Sequence, residues 1–320
     1  MSEMLNISWN DIAREDWDRA LEHVCAAYQQ DWAYGDLMQG VGANVMRASI
    51  RDNQGELVAL AQIIVKPFAL VGRFALSTFG PIWLKPLSNR DKETAYKLLK
   101  TTPPISPPRL QVFTPEDTQE VYQDKTGGLR RLKRVMTGAA TVRIDLTQDA
   151  ESMRKNLDQK WRNRLNAAEK SDLKYVKGGV KPSQFNWLLN LEEKQREKRG
   201  YRALPAELTL AWQEAKSKAK GAPKNTGVAL YRADLGKDTA GAMLVLIHGC
   251  AATYHIGWTS DDGRKLGAHN LCLWNACLDL KERGVKSFDL GGVNTQSGAG
   301  IARFKIGTGG AVIERAGAFV

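Results

Sequence analysis

Three short stretches carry side chains whose types and spacing suit chemistry. Near the chain end, "GIARFKIGTGG" (300–310) sets Arg303, Phe304 and Lys305 just before a turn built on Gly307, Gly309 and Gly310. Cations beside so much backbone freedom have two readings: a plain terminal hairpin, or loops that approach a ligand closely. Upstream, "FDLGGVN" (288–294) is an apolar run that carries Asp289 and ends in paired glycines. Its carboxylate can hold or accept an ammonium proton, or it can cap the Gly291-Gly292 turn. In "KWRNRLNAAEKSDLKYV" (160–176), Lys160, Arg162 and Arg164 suit phosphate binding. At about 3.6 residues per helical turn, 160 and 164 share a face and 162 points away, so two of the three can grip one ligand.

Such groups need elements to position them. Residues 14–34 read as a helix ending near Gly35. Strands are predicted over 44–52 and 57–67, with a third over 68–83 that ends at Gly80-Pro81. A short helix (90–100), a strand (109–115) and a basic, glycine-containing loop (125–140) follow. A long helix is predicted over roughly 148–171, capped by Asp149, with Met153, Leu157, Trp161, Leu165 and Ala168 as its apolar stripe. Helices over about 182–199 and 205–220 precede three strands (227–236, 239–250 and 251–260), a helix over 265–284 stopped by Gly284, and a strand over 285–292. Tyr254 and Trp258 lie on the third of those strands, where they can line a groove or fill a core.

One regularity organises these elements. "SIRDNQGELVALAQIIVKPFALVGRFAL" and "YRADLGKDTAGAMLVLIHGCAATYHIGW" share a layout: a strand ending in charge, a polar turn, an Ala-rich strand, and a third strand with a late aromatic. The copies lie roughly 180 residues apart, as expected of a duplicated unit. The expected architecture is α/β, with mixed sheets flanked by helices in two tandem domains. Residues 1–145 form the first, and 146–320 the second, entered by the basic helix at about 148–171.

Charge is unevenly placed. Residues 1–124 hold 12 Lys+Arg against 16 Asp+Glu, 125–202 hold 20 against 9, and 203–320 hold 14 against 10. The middle segment carries a surplus equal to the whole chain's +11. That concentration fits a polyanionic partner such as RNA, a nucleotide-linked substrate or an anionic membrane surface, or else a solvated helix face. No apolar run reaches the ~20 residues of a membrane span. The acidic N-terminus lacks the apolar core of a signal peptide, so a cytoplasmic protein is expected. Cys25, Cys250, Cys272 and Cys277 form no C-x-x-C pair, and the histidines show no metal spacing; free thiols and no metal site are expected.

With that layout in place, "Y-x-x-G" (254–257), "R-K-L-G-A" (264–268), "W-N-A" (274–276), "F-D-L-G-G" (288–292) and "R-F-K-x-G-x-G-G" (303–310) together resemble the final domain of the Fem-type (FemABX) aminoacyltransferases. "KWRNRLNAAEKSDLKYV" resembles the basic helix entering that domain; "QQDWAYGDL" and "STFGPIW" resemble first-domain motifs. These are tandem GNAT-fold enzymes that move an amino acid from aminoacyl-tRNA to the stem peptide of a peptidoglycan precursor. The chain resembles the short type without a coiled-coil arm. Met38 and Phe79 stand where basic groups are frequent in members that bind a nucleotide-linked muropeptide, which bears on the acceptor and leaves the fold untouched.

The resemblance implies catalytic roles for Lys305 and Phe304 near the transferring ester. A fixed ammonium there would stabilise the charge that builds as an amine attacks the acyl carbonyl, and Phe304 would restrict its rotamers. Asp289 would hold or deprotonate the acceptor amine. Lys160, Arg162, Arg164, Tyr254, Trp258 and Arg303 would bind substrate, and Arg130 and Arg131 would extend the basic patch towards tRNA. "RKLGAHN" also approximates the pyrophosphate loop of acetyl-CoA-dependent GNAT enzymes, with Arg264 and Gly267 in place and His269 at the final small position. The implied function is transfer from aminoacyl-tRNA, as co-substrate, to an amine of a peptidoglycan or other envelope precursor. Such a protein would hold no bound cofactor and could sit peripherally at the inner membrane surface. Two alternatives stand beside it: an acyl-CoA-dependent N-acyltransferase acting on an envelope polysaccharide, amino sugar or lipid, and a non-catalytic RNA-binding module.

Overall fold

A computed structural model describes residues 5–68, 72–199, 206–218, 227–296 and 298–320. The chain divides into two compact units, Met1–Ala140 with Ile313–Val320, and Thr141–Val312. The expected strand over 68–83 includes 69–71, and the expected helix over 205–220 includes 205, 219 and 220; those positions lie outside the described residues.

The first unit runs β1 (Asn6–Trp9), α1 (Arg14–Leu21), α2 (Trp32–Gly40), β2 (Asn44–Arg51), β3 (Leu57–Phe68), β4 (Gly72–Thr78), β5 (Ile82–Trp83), α3 (Asn89–Thr101), β6 (Arg109–Thr114), α4 (Gln119–Gln123) and β7 (Arg134–Met136). The second runs β8 (Ala140–Asp145), α5 (Ala150–Asn156), α6 (Gln159–Glu169), β9 (Leu173–Lys177), α7 (Pro182–Arg199), α8 (Ala206–Lys218), β10 (Gly227–Leu235), β11 (Asp238–His248), β12 (Ala251–Thr259), α9 (Asp261–Leu266), α10 (Ala268–Glu282), β13 (Ser287–Gly292), α11 (Ala299–Ile306) and β14 (Ala311–Glu314). The chain ends in β15 (Ala318–Phe319).

The first sheet has the order β1-β2-β3-β4-β6-β15-β7, with β5 on β3; the second has β14-β8-β13-β12-β11-β10-β9. Each contains an antiparallel meander whose last strand then pairs in parallel with a strand that follows a helix: β4 with β6, and β12 with β13. The shared layout of the two sequence stretches is this repeated unit. The chain's last strand, β15, completes the first sheet beside β6, so the first unit is closed by residues that the expected 1–145 and 146–320 division gave to the second.

Several expected helices are interrupted, each for a local reason. Residues 14–34 hold two helices, because the Asp31 side chain caps α2 by accepting the Ala33 N–H at 2.9 Å. The expected helix over 148–171 is α5 and α6. Asp149 caps the first, as expected, accepting from Ser152 N at 2.8 Å. Leu157 then turns extended, and Asp158 caps the second by accepting from Lys160 N (2.9 Å) and Trp161 N (3.4 Å). The apolar stripe survives the break: Met153, Leu157, Trp161, Leu165 and Ala168 are all buried in the core between α6, α10 and the second sheet. The expected helix over 265–284 is α10 preceded by α9. Gly267 separates them with φ +77°, a left-handed conformation that costs glycine little. The expected loop over 125–140 contains a short helical turn (Leu129–Arg131) and β7.

Candidate active site

The stretch read from sequence as a hairpin or ligand loop is a helix. Arg303, Phe304 and Lys305 occupy the last turn of α11, and the glycines follow it. Gly309 answers why glycine is needed: its φ is +74°, and a Cβ there would overlap the Asn156 carbonyl. The freedom serves a close crossing of two backbone segments. The Asp158 N–H donates to the Gly307 carbonyl at 2.9 Å, tying the α5–α6 corner to the end of α11.

These elements enclose a cleft of about 1670 Å³ within the second unit. Lys160, Trp161 and Arg164 reach it from α6, Tyr254, Gly257 and Thr259 from β12, and Arg264, Gly267 and His269 from the α9–α10 corner. Arg303, Phe304 and Lys305 enter from α11, and Glu192 and Gln195 from α7. Helical geometry separates the α6 cations as the spacing predicts: Lys160 and Arg164 line the cleft, while Arg162 is absent from its lining. Arg164 also donates to the Arg264 carbonyl, which joins α6 to the α9–α10 corner. Arg264 pairs with Asp261 at 3.1 Å. Arg130 and Arg131 belong to the first unit, where Arg131 pairs with Glu93 at 3.0 Å.

Lys305 is partly buried. Its Nζ donates to the Gly292 carbonyl at 2.8 Å and lies 6.0 Å from the centre of the Tyr254 ring. Burial pulls its pKa below the usual lysine value, and the charge of Asp289 opposes that shift. An ammonium has three donors, so one bond to Gly292 leaves others for a ligand. Asp289 takes the turn-capping arrangement instead of lining the cleft. It accepts the Gly291 N–H (2.7 Å) and the Thr141 hydroxyl (2.5 Å), and it lies 4.0 Å from Arg143.

Around Lys305 runs a chain of aromatic contacts. Trp161 and Phe304 ring centres are 5.8 Å apart, Phe304 and His269 5.3 Å, and His269 and Tyr254 5.9 Å. The Trp161 Nε1–H donates to the Phe304 carbonyl at 3.1 Å. The His269 Nε2 lies 3.0 Å from the Tyr254 hydroxyl and its Nδ1 3.1 Å from that of Thr259. Burial pushes the His269 pKa down to about 4, so the ring is neutral at neutral pH. In the sequence His269 stands at the final small position of the phosphate-loop pattern. In the fold it is a component of the cleft wall.

Trp258 is absent from the cleft lining, and a β-bulge explains why. Strict alternation along β12 puts Tyr254 and Trp258 on one face. The pairing of β11 with β12 shifts register between Leu244 and Val245: Leu244 opposes Ile256, Val245 opposes Tyr254, and His255 is the extra residue. The bulge moves Tyr254 onto the face of Gly257 and Thr259 and sends Trp258 to the other. Nothing in the local sequence announces that slip.

Comparison with known proteins agrees with this architecture. Residues 151–305 match the acetyltransferase (GNAT) domain family. Solved structures of similar fold include FemX, 12% identical over 98% of this chain and 96% of that one, with a TM-score of 0.78. L-PGS from Bacillus licheniformis is 14% identical over 95% and 91% (TM-score 0.53), and a tandem GNAT protein from the clavulanic acid biosynthesis pathway is 10% identical over 99% and 98% (TM-score 0.50). At such identities the likeness is one of fold. No curated protein sequence matches the chain. The two mixed sheets and the matched domain define a tandem GNAT-fold protein. The domain match falls on the unit that holds the cleft and supports an acyltransferase.

Proposed function

We propose that the protein is a Fem-type aminoacyltransferase that moves an amino acid from aminoacyl-tRNA to an amine of a cell-envelope precursor. The observation that carries this reading is the convergence of Lys160, Arg164, Arg264 and Arg303 on the cleft that Lys305 enters. That many cations suit a polyanionic donor, and the fold likeness to FemX and to L-PGS supports it. In the reaction, the acceptor amine attacks the acyl ester carbonyl, and the oxygen gains negative charge. The Lys305 ammonium, anchored by Gly292, stabilises that charge or the departing hydroxyl oxygen. The ester C–O bond breaks, the proton lost by the amine passes to the departing oxygen, and an amide and an alcohol remain.

The first unit bears on the acceptor. Met38 is buried in an apolar cluster with Ala43, Val45 and Ile64, so this position offers a phosphate nothing. The Phe79 ring is covered by the Arg315 guanidinium at 4.1 Å, which pairs with Glu116 at 3.1 Å. Poor use of a UDP-linked muropeptide is therefore expected.

A second reading, transfer from acyl-CoA, is favoured by one feature: the N-terminus of α10 at Gly267 opens on the same cleft. Binding separates the two. With tRNA as donor, affinity falls steeply with salt, and Lys160→Glu/Arg164→Glu weakens it and flattens the salt slope. Absence of tRNA binding at low salt, together with thermal protection by CoA, would sink the tRNA reading.

A further inference from the structure

We infer that the β3–β4 end of the first sheet is a docking surface for an anionic lipid bilayer, with Phe68 and Leu110 entering its interface and Lys66, Arg73, Lys100 and Arg109 meeting its headgroups. The inference goes beyond the transfer reading and stands independently of it. Strand register builds the apolar part. Phe74 opposes Lys66 across β3–β4 and Leu110 across β4–β6, so the three share one face of the sheet. Phe68, two residues on from Lys66, shares that face too. Phe68 is 57% exposed and Leu110 45%, and the Phe68 and Phe74 ring centres lie 6.5 Å apart. A lone exposed apolar side chain is ordinary on a protein surface; neighbours gathered on one sheet face mark an interaction site. Residues 69–71, outside the described residues, are not counted in this patch.

Charge identifies the partner. Residues 1–124 are net negative, yet 57–90 and 94–115 contain no Asp or Glu. Arg73 stands directly beside Arg109 across β4–β6, a juxtaposition of like charges that weakens a sheet. The Arg109 guanidinium donates to the carbonyls of Ile105 (2.7 Å) and Lys100 (3.2 Å), which fix it and leave its charge in place. Among the described residues, none of Lys66, Arg73, Lys100 and Arg109 pairs with a carboxylate. A second copy of the chain would set the same cations against these, and like charges repel. A nucleic acid would stack on Phe68 and gain nothing from Leu110. An anionic bilayer uses both halves of the patch, the apolar side chains at its acyl boundary and the cations among its headgroups. No described helix is long and apolar enough to cross a membrane, so the contact is one of surface docking.

The test is co-sedimentation with lipid vesicles, which needs neither donor nor acceptor, so its failure and the failure of the transfer reading are separate results. Wild type should bind vesicles of equal parts phosphatidylcholine and phosphatidylglycerol at low salt and lose affinity as salt rises, while binding pure phosphatidylcholine roughly ten-fold or more weakly. Phe68→Ser/Leu110→Ser should weaken binding by roughly ten-fold or more, the scale of one large apolar side chain left in water. Phe68→Leu should bind nearly as well as wild type. Lys66→Glu/Arg73→Glu should weaken binding by roughly twenty-fold or more, since each cation near an anionic surface is worth about five-fold. Lys170→Glu/Lys174→Glu makes the same charge change at exposed positions of the second unit and should do far less. These side chains lie at the surface, so melting temperatures should match throughout. Wild type that ignores anionic vesicles overturns the inference, as does an equal loss of binding in Lys170→Glu/Lys174→Glu. It also falls if Lys66→Glu/Arg73→Glu removes tRNA binding and spares vesicle binding, or if wild type is a dimer that Phe68→Ser/Leu110→Ser dissociates.

Discussion

Trp161 and Phe304 lie 143 residues apart and share both a ring contact, at 5.8 Å between centres, and a hydrogen bond from the indole to the Phe304 carbonyl. Through this pair the helix that carries Lys160 and Arg164 sets the position of the helix that carries Lys305. Trp161→Phe keeps the apolar bulk and removes the donor, leaving a carbonyl without that partner. It should cost about 1 kcal/mol of stability and lower turnover more than donor affinity. Denaturant unfolding alongside steady-state kinetics checks both.

Lys305→Met keeps much of the side-chain stem and removes the ammonium. Transfer should slow by roughly ten- to a thousand-fold, the scale of losing one electrostatic donor, while donor affinity changes far less. The fold should hold, since Lys305 is only partly buried and bonds one carbonyl. Equal turnover at an unchanged melting temperature would hand the role to backbone groups.

Gly257→Ala places a methyl where the Tyr254 hydroxyl and the His269 ring meet. The hydroxyl must swing away. Activity should fall at least as far as in Tyr254→Phe, and an unaffected rate would mean the strand yields without disturbing the pair.

Acid should weaken the second unit in a defined window. His255 and His269 both titrate near 4 in the fold, against about 6.5 when unfolded, because burial disfavours their cations. Between those values the unfolded chain binds more protons, so stability is complete above pH 6.5 and is lost as pH falls towards 4. Each histidine contributes a slope of up to about 1.4 kcal/mol per pH unit. Urea midpoints measured across pH 4.5–7.5 test this, and His255→Leu should remove one histidine's share of the slope.

None of the four cysteines forms a disulfide, and Cys250, Cys272 and Cys277 are buried. Burial raises the pKa of the Cys272 and Cys277 thiols well above the usual value, so few thiolates form. A thiol reagent added to the folded protein should label Cys25 first and reach the others only on unfolding. Mass mapping of the labelled peptide is the check.

Much of this architecture is legible along the chain. Asp149 marks the start of a helix, and the strand meanders announce themselves by apolar runs between polar turns. The stripe from Met153 to Ala168 identifies a buried face even though the helix breaks within it, because side-chain burial is decided by spacing that the break happens to preserve. Less legible was the site. Asp289 carries two chemically sensible roles, and only the nearby Thr141 hydroxyl and Gly291 N–H show it capping a turn.

The sequence by itself determined the paired α/β units, the concentration of positive charge and the division of Lys160 and Arg164 from Arg162. Those features depend on composition and on spacing within a turn or two of helix. Tertiary structure alone decided that residues 299–306 form a helix, that Tyr254 faces His269 while Trp258 turns away, and that β15 closes the first sheet. Each follows from strand register or from two backbones crossing, and such contacts join residues that no local pattern relates.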